Sequence, residues 1–573
     1  MLPLKRHKFW VNVIGVFLFI LFISLAVRLG NIQLMNHDKY IKLAKAQQYK
    51  KITLPARRGP ILDRNGNVLA ESLQVGSISA DPAEIEDIPK TAYHLSRILE
   101  LNQLKLIKLL KKDRRFVWIK RKVGDAELDA IAKVSLKGVH ICNEYHRFYP
   151  HQQLGSHILG FTNIDDRGLE GIELLFNDVL SGEPGYKYVT RDALQRQIIT
   201  PDSEIQLPKH GDTVVLTIDA NIQRITEEEL GFACEKWMPA SATAIVMDPM
   251  TGEVLAMANY PTYDPNHFKK YQSNVRRNLA ITDCYEPGSI IKPIVLSGIL
   301  EQGIVKPDDV FFCHNGVYEI GGRVLHDSHN GYGDLTVSEI IVYSSNIGMA
   351  RLGVLMGKQK MYQHLKQFKF GERTGIDLPG EIGGIFHPVR YWSEVYSLVS
   401  ISMGHEIATT PLQFITAFCS IPNGGVLLKP GIIKSIISSD NNEKKEYQYP
   451  QIVRRVMGVD IARGTMNSIL TKAVTNGTGK NANLLEYDIA GKTGTSQKPS
   501  HEGGRYSREK YVGSFVAYAP ADHPRICVLV IINEPTNGAY YGGTVAAPAV
   551  REIIRRSLIY LGVEPLKFQM AIQ

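Results

Sequence analysis

Cysteine is sparse in this chain, and what there is forms no pattern. Cys142, Cys234, Cys284, Cys313, Cys419 and Cys527 stand far apart, with no CxxC and no Cys/His spacing suited to a metal. A disulfide-framework miniprotein and a zinc module are thereby excluded; pairing is left open, because a fold this large does not need it. Internal repeats and low-complexity tracts are also missing, which removes solenoids and linker arrays. Nor is there a strong charge imbalance, the formal net charge being +9 over 573 residues. The densest basic stretch is Lys105, Lys108, Lys111, Lys112, Arg114, Arg115, Lys120, Arg121 and Lys122. Leu104, Leu106, Ile107, Leu109 and Leu110 run through it as an apolar partner face, so it reads as the solvated side of a helix rather than a nucleic-acid patch. With 44% apolar and 21% charged residues, the remainder has the composition of an ordinary globular protein, long enough for two or three folded units.

Only one apolar run is long. From Phe9 to Leu29 it is interrupted by Asn12, Ser24 and Arg28 alone, and about 21 residues suffice to cross a bilayer as a helix. Lys5, Arg6 and Lys8 precede it, so the positive-inside rule places residues 1–8 in the cytoplasm and everything beyond residue 30 outside it, in the periplasm of a cell with an inner membrane. The run is longer than a signal-peptide core and no small-x-small site follows, which predicts an uncleaved anchor over 9–29.

Residues 30–211 read as one mixed segment. Arg57-Arg58-Gly59-Pro60-Ile61-Leu62-Asp63-Arg64-Asn65-Gly66 contains a hairpin signal at Asn65-Gly66. At about residue 212 the composition shifts. Thr213–Ile218 reads as a strand, Asp219–Cys234 as a helix, and Ala242–Met247 with Glu253–Ala258 as a hairpin. Tyr511–Tyr518 and Ile526–Ile532 form a second strand pair, and Arg551–Leu561 a closing helix. Residues 212–573 therefore predict an α+β domain, an antiparallel sheet packed by helices.

Three short motifs carry chemistry. Ser289-Ile290-Ile291-Lys292 follows the turn Glu286-Pro287-Gly288 and opens an apolar helix. Spacing i, i+3 puts Lys292 one turn from Ser289, as a nucleophile and its base require, provided burial or a nearby cation keeps the amine neutral. The same spacing recurs at Ser507-Arg508-Glu509-Lys510, in a polar stretch with no such helix. Ser344-Ser345-Asn346 falls at a junction after the capping box Thr336-Val337-Ser338-Glu339. Lys492-Thr493-Gly494-Thr495 follows strand-like sequence, where a glycine on an edge strand allows another backbone close; Arg373-Thr374-Gly375 shows how easily a near match arises. Each motif alone is weak. Their order, SxxK then SxN then KTG, is the active-site set of penicillin-recognising serine enzymes.

On those motifs, and on Arg147-Phe148-Tyr149-Pro150, His157-Ile158-Leu159-Gly160, Gly168-Leu169-Glu170-Gly171-Ile172-Glu173, Thr410-Pro411-Leu412-Gln413 and Tyr540-Tyr541-Gly542-Gly543, the chain resembles a class B penicillin-binding protein, most of all the division-specific transpeptidases. The resemblance implies an elongated N-terminal pedestal of the class B dimerisation type (30–211) below a transpeptidase domain (212–573) whose sheet carries helices on both faces. It implies that Ser289 is acylated by D-Ala-D-Ala stem peptides and by β-lactams. Lys292 would take the serine proton, Ser344 relay a proton with Lys492, and Asn346 hold the substrate amide. Thr493, Gly494 and Thr495 would bind the substrate, its carboxylate on the two hydroxyls, with the N–H groups of Ser289 and Thr495 as oxyanion hole. No cofactor and no metal is implied. Partners would be a membrane glycan polymerase and other division proteins at the septum. The elongation-specific transpeptidases and a non-catalytic division scaffold are the alternatives. One departure stands out: Gly404-His405-Glu406 places a glutamate where many relatives carry a second glycine.

Overall fold

The computed structural model describes residues 3–191, 197–198, 205–327, 331–499 and 506–566. The chain falls into two compact units, Met1–Ala56 with Gly182–His210, and Arg57–Ser181 with Gly211–Gln573.

The first unit begins with α1, Pro3–Gly30. Its 28 residues span about 42 Å at helical rise, more than a bilayer's apolar core. The apolar side chains along it are exposed, among them Phe9, Phe17 and Phe22, which is what a helix looks like when lipid rather than protein is its partner. Beyond it, Tyr49–Leu54 pairs antiparallel with Gly185–Arg191.

In the second unit, the hairpin signal at Asn65-Gly66 is realised: Ile61–Leu62 turns back on Val68–Ala80, with Gly66 at φ +89°. The Asp63 carboxylate holds this turn, accepting from Asn65 N and Asn67 N at 2.8 Å each. It also accepts from Ala220 N at 3.1 Å, at the start of α2, Ala220–Trp237. The turn is thus tied to the first helix beyond residue 212. The sheet is continuous in the same sense, because Ile61–Leu62 pairs in parallel with Thr213–Leu216, and Val68–Ala80 pairs with Val139–Phe148 and Val117–Val123.

A buried ion cluster fixes this region. Glu173 accepts from Arg58 Nε at 2.6 Å and from Arg147 Nε at 2.5 Å, while Tyr149 Oη donates to it at 3.2 Å. Arg58 further donates to the Glu173 carbonyl and to Ser181 Oγ. Burial alone would push the Glu173 carboxyl up, but the two guanidinium groups hold it below its ordinary value.

The basic stretch divides in two. Gln103–Leu110 is a helix burying Leu106 and Leu110, whereas Leu104 is 71% exposed; eight residues give one apolar stripe, and Leu104 lies off it. Lys120, Arg121 and Lys122 sit on the strand Val117–Val123, paired with Glu127, Glu144 and Asp166.

The central sheet has five antiparallel strands: β1 (Ser241–Met247), β2 (Val254–Tyr260), β3 (Ala490–Pro499), β4 (Tyr506–Ala519) and β5 (Ile526–Asn533), in the order β2-β1-β5-β4-β3. Alternate residues enter two separate cores. Ala244, Val246, Val528 and Val530 pack with Ile222, Leu230 and the C-terminal helix residues Ile553 and Leu558. Ile245, Met247, Leu529 and Ile531 pack with Phe414, Phe418 and the helix behind Ser289. Helices thus cover both faces, which is why β1 and β5 read as unbroken apolar runs rather than alternating ones.

Replacing Glu173 by alanine would leave two buried guanidinium groups unpaired, a loss of roughly 3–5 kcal/mol. Urea unfolding of Glu173→Ala is expected to move to markedly lower concentration; coincidence with wild type would mean that the cluster does not hold the region together.

Candidate active site

Gly288–Ile291 forms a single 3₁₀ turn that runs into α3, Lys292–Glu301, with Pro293 in its first turn. The sequence places Ser289 at a helix start, and the structure refines this to the turn just before the α-helix. Ser344 lies between α4 (Val337–Val342) and α5 (Asn346–Met356), at φ +60°, a left-handed backbone that side chains seldom adopt. Lys492, Thr493, Gly494 and Thr495 are on β3, at the sheet edge.

These three segments meet in a cleft of about 490 Å³ lined by Ser289, Ser344, Asn346, Thr493 and Thr495 among others. Under it lie the two lysines, Lys292 at 0% and Lys492 at 1% exposure. Both reach the same hydroxyl: Lys492 Nζ donates to Ser344 Oγ at 2.9 Å and Lys292 Nζ at 3.3 Å. Lys292 Nζ also donates to Ser344 O at 2.8 Å and Asn346 Oδ1 at 2.9 Å. Ser289 Oγ is not among its partners; the spacing expectation aimed the amine at Ser289, and the junction of α4 and α5 takes it instead. Catalytic hydrogen bonds of this kind tighten when substrate is in place.

Two buried ammonium groups this near cannot comfortably both be charged. Burial lowers Lys292 to about 7, against the pull of Asp327 in the other direction. Burial, and then the charge of Lys292, hold Lys492 well below the usual lysine range.

Asp327 is the residue that sequence reasoning missed. Its carboxylate accepts from Ser345 Oγ at 2.9 Å, Asn346 N at 2.5 Å and Ile347 N at 3.2 Å, so it caps α5 and fixes the SxN corner from outside. No local motif announces it, because a cap 18 residues upstream becomes visible only in the fold. A second such group is Glu286. It accepts from His405 Nδ1 at 2.7 Å, Glu406 N at 3.0 Å and Tyr506 Oη at 3.0 Å, so His405 is clamped where it lines the cleft.

Close packing joins these pieces. A Cβ on Gly494 would collide with Ser514 Oγ and come within 2.9 Å of Ile290 Cγ2, and one on Gly404 would enter the Gly288 backbone. Glu406 has φ +58°, a left-handed backbone that glycine adopts more readily than glutamate. Thr493 Oγ1 shares a hydrogen with Thr478 Oγ1 at 2.7 Å, and Thr495 Oγ1 accepts from Gly542 N at 3.1 Å. The two near matches stay outside this arrangement: Ser507 is the second residue of β4 and accepts from Lys510 N, and Thr374 is bonded to Glu381 in a loop.

With this geometry in view, the relatives are informative. Residues 242–555 match the penicillin binding protein transpeptidase domain, and residues 53–216 the penicillin-binding protein dimerisation domain. Stage V sporulation protein D of Bacillus subtilis is 34% identical over 571 residues, 99% of this chain and 87% of the relative. Peptidoglycan D,D-transpeptidase FtsI of Escherichia coli is 32% identical over 557 residues, 95% of this chain and 91% of the relative. Among solved structures, penicillin binding protein 3 of Mycobacterium tuberculosis, complexed with aztreonam, superposes with a TM-score of 0.70 at 27% identity, covering 90% of this chain and 98% of that one. The chain belongs to the class B penicillin-binding proteins.

Because Asp327 raises and burial lowers the Lys292 pKa, the Asp327→Asn variant is expected to titrate Lys292 below about 7. NMR of ¹³C-labelled lysine side chains reads this directly, and an upward shift would contradict the assigned balance of forces.

Proposed function

We propose that this protein is a serine-type peptidoglycan D,D-transpeptidase that cross-links stem peptides during septal wall synthesis and is inhibited by β-lactams. The observation that carries the reading is the convergence of Lys292 and Lys492 on one hydroxyl, Ser344 Oγ, beside Ser289 in an open cleft. Family membership supports it, as do relatives named for D,D-transpeptidase activity and an aztreonam-bound structural neighbour.

In this reading neutral Lys292 takes the proton as Ser289 Oγ bonds to the carbonyl carbon of the penultimate D-alanine. The N–H groups of Ser289 and Thr495 receive the oxyanion. Ser344 passes a proton, with Lys492 behind it, to the nitrogen of the departing D-alanine. Asn346 holds the substrate amide, and Thr493 and Thr495 its carboxylate, with Gly494 admitting the strand-like peptide. The acyl group then passes to the amine of a neighbouring stem peptide. A β-lactam follows the first half and stays attached.

The remaining assignments are part of the same proposal. α1 is a single-pass anchor in the inner membrane, with residues 1–8 cytoplasmic and the catalytic part periplasmic at the division site. Residues 30–211 act as pedestal and 212–573 as transpeptidase domain. The partners are a glycan polymerase and other division proteins; crosslinking that captures no polymerase at the anchor or pedestal would sink that part.

Fluorescent penicillin should label wild type and Ser507→Ala equally and leave Ser289→Ala unlabelled; label retained in Ser289→Ala refutes the nucleophile. The acylation rate should rise with pH and level off above about 7, where Lys292 loses its proton, since a base acts only when neutral. A rate still climbing toward the ordinary lysine pKa would place the base elsewhere.

A further inference from the structure

Away from the Ser289 cleft, a second hollow of about 310 Å³ opens in the same compact unit, where residues 122–164 meet Pro265–Lys270. Lys122, His146, Arg147, His267, Lys269 and Lys270 line it, and no carboxylate does. Some of this charge is already matched. Lys122 Nζ pairs with Asp166 at 2.8 Å, Arg147 Nε with Glu173 at 2.5 Å, and His267 Nδ1 with Asp264 at 2.8 Å. Lys269 and Lys270 have no ion-pair partner among the described residues.

The floor is incomplete. Arg147 is 2% exposed, and its Nε and Nη1 are bound, Nη1 to the Gly59 carbonyl at 2.8 Å. Its Nη2 has no acceptor, and Nδ1 of His146, the preceding residue on the strand, has no partner either. A buried guanidinium N–H is costly to leave unsatisfied, and such an orphan in a native structure signals a water or an ion that completes it. The carboxylates of Asp166, Glu173 and Asp264 offset three of the lining cations, which leaves Lys269 and Lys270 as the charge open to an anion. Burial and the nearby Lys122 charge, against the pull of Asp166, keep His146 below its ordinary pKa.

We propose that this hollow is a phosphate-binding site, with Arg147 and His146 at its floor and Lys269 and Lys270 at its mouth. Donors come from two chain segments, residues 146–147 and 269–270, and more than two of them suit the several oxygens of a phosphate better than the two of a carboxylate. The phosphate belongs to a lipid headgroup or to a soluble phosphorylated compound; the chemistry of recognition is the same for both. The site is independent of the transpeptidase reading.

Full-length protein in neutral detergent and phosphate-free buffer is titrated calorimetrically with inorganic pyrophosphate. One saturable site is expected, its Kd raised about tenfold in Lys269→Ala/Lys270→Ala, with penicillin labelling of Ser289 unchanged. Arg147→Ala is avoided because it would also break the Glu173 cluster. In discs of phosphatidylcholine with added phosphatidylglycerol, a pyrophosphate Kd weakened about tenfold assigns the site to headgroups, and an unchanged Kd to a soluble phosphate. Absence of saturable heat, a Kd indifferent to the double substitution, or the same heat from sodium chloride at equal ionic strength means a water-filled hollow, and overturns the proposal.

Discussion

Everything at the Ser289 cleft depends on two amines being buried side by side. Lys292 and Lys492 are almost without solvent, and both address Ser344 Oγ. Removing an ammonium from water is expensive, and placing a second one near it more so. The arrangement is tolerated because each amine can give up its proton. The surrounding carbonyls of Ser344, Ser345 and Thr493 accept from the amines and orient them. Asp327 supplies the one compensating negative charge that acts on Lys292, and it does so while fixing the start of α5. One carboxylate thus both positions the SxN corner and tempers the lowering that burial imposes on Lys292.

How far such an arrangement can be read in advance depends on the reach of each interaction. The Asn65-Gly66 hairpin, the strand pairs 241–247 with 254–260 and 506–519 with 526–533, and the C-terminal helix were legible because turn chemistry and apolar runs are local. The three motifs were legible through their order, and the fold brings all three to one cleft. What escaped were the long-range partners. Lys292 points at Ser344 and Asn346, 52 and 54 residues away, and no spacing rule over four residues contains that. Leu104 was expected in the core and is exposed, because a helix of two turns has room for one buried stripe. Lys120, Arg121 and Lys122, expected on a helix face, lie on a strand with acidic partners from elsewhere in the chain.

The same distinction applies to the N-terminal part. Composition changes near residue 212, yet the parallel pairing of Ile61–Leu62 with Thr213–Leu216 and the bond from Ala220 N to Asp63 carry one sheet and one cap across that point. Composition reports what a segment is made of, and contacts report what it moves with. The Glu173 cluster, which ties Arg58 to Arg147, belongs to the second kind. Its charged members are invisible to any hydrophobic pattern.

The glycine contacts around Ser289 restrict how this protein can change under drug selection. At Gly494 and Gly404 even a methyl group would meet backbone or a packed side chain, so substitutions there distort the turn that carries Ser289. More latitude lies in side chains that line the cleft and reach solvent, such as Tyr541, which is 45% exposed. An evolving population can therefore reshape the entrance more easily than the seam, where every added atom presses on the turn that carries Ser289.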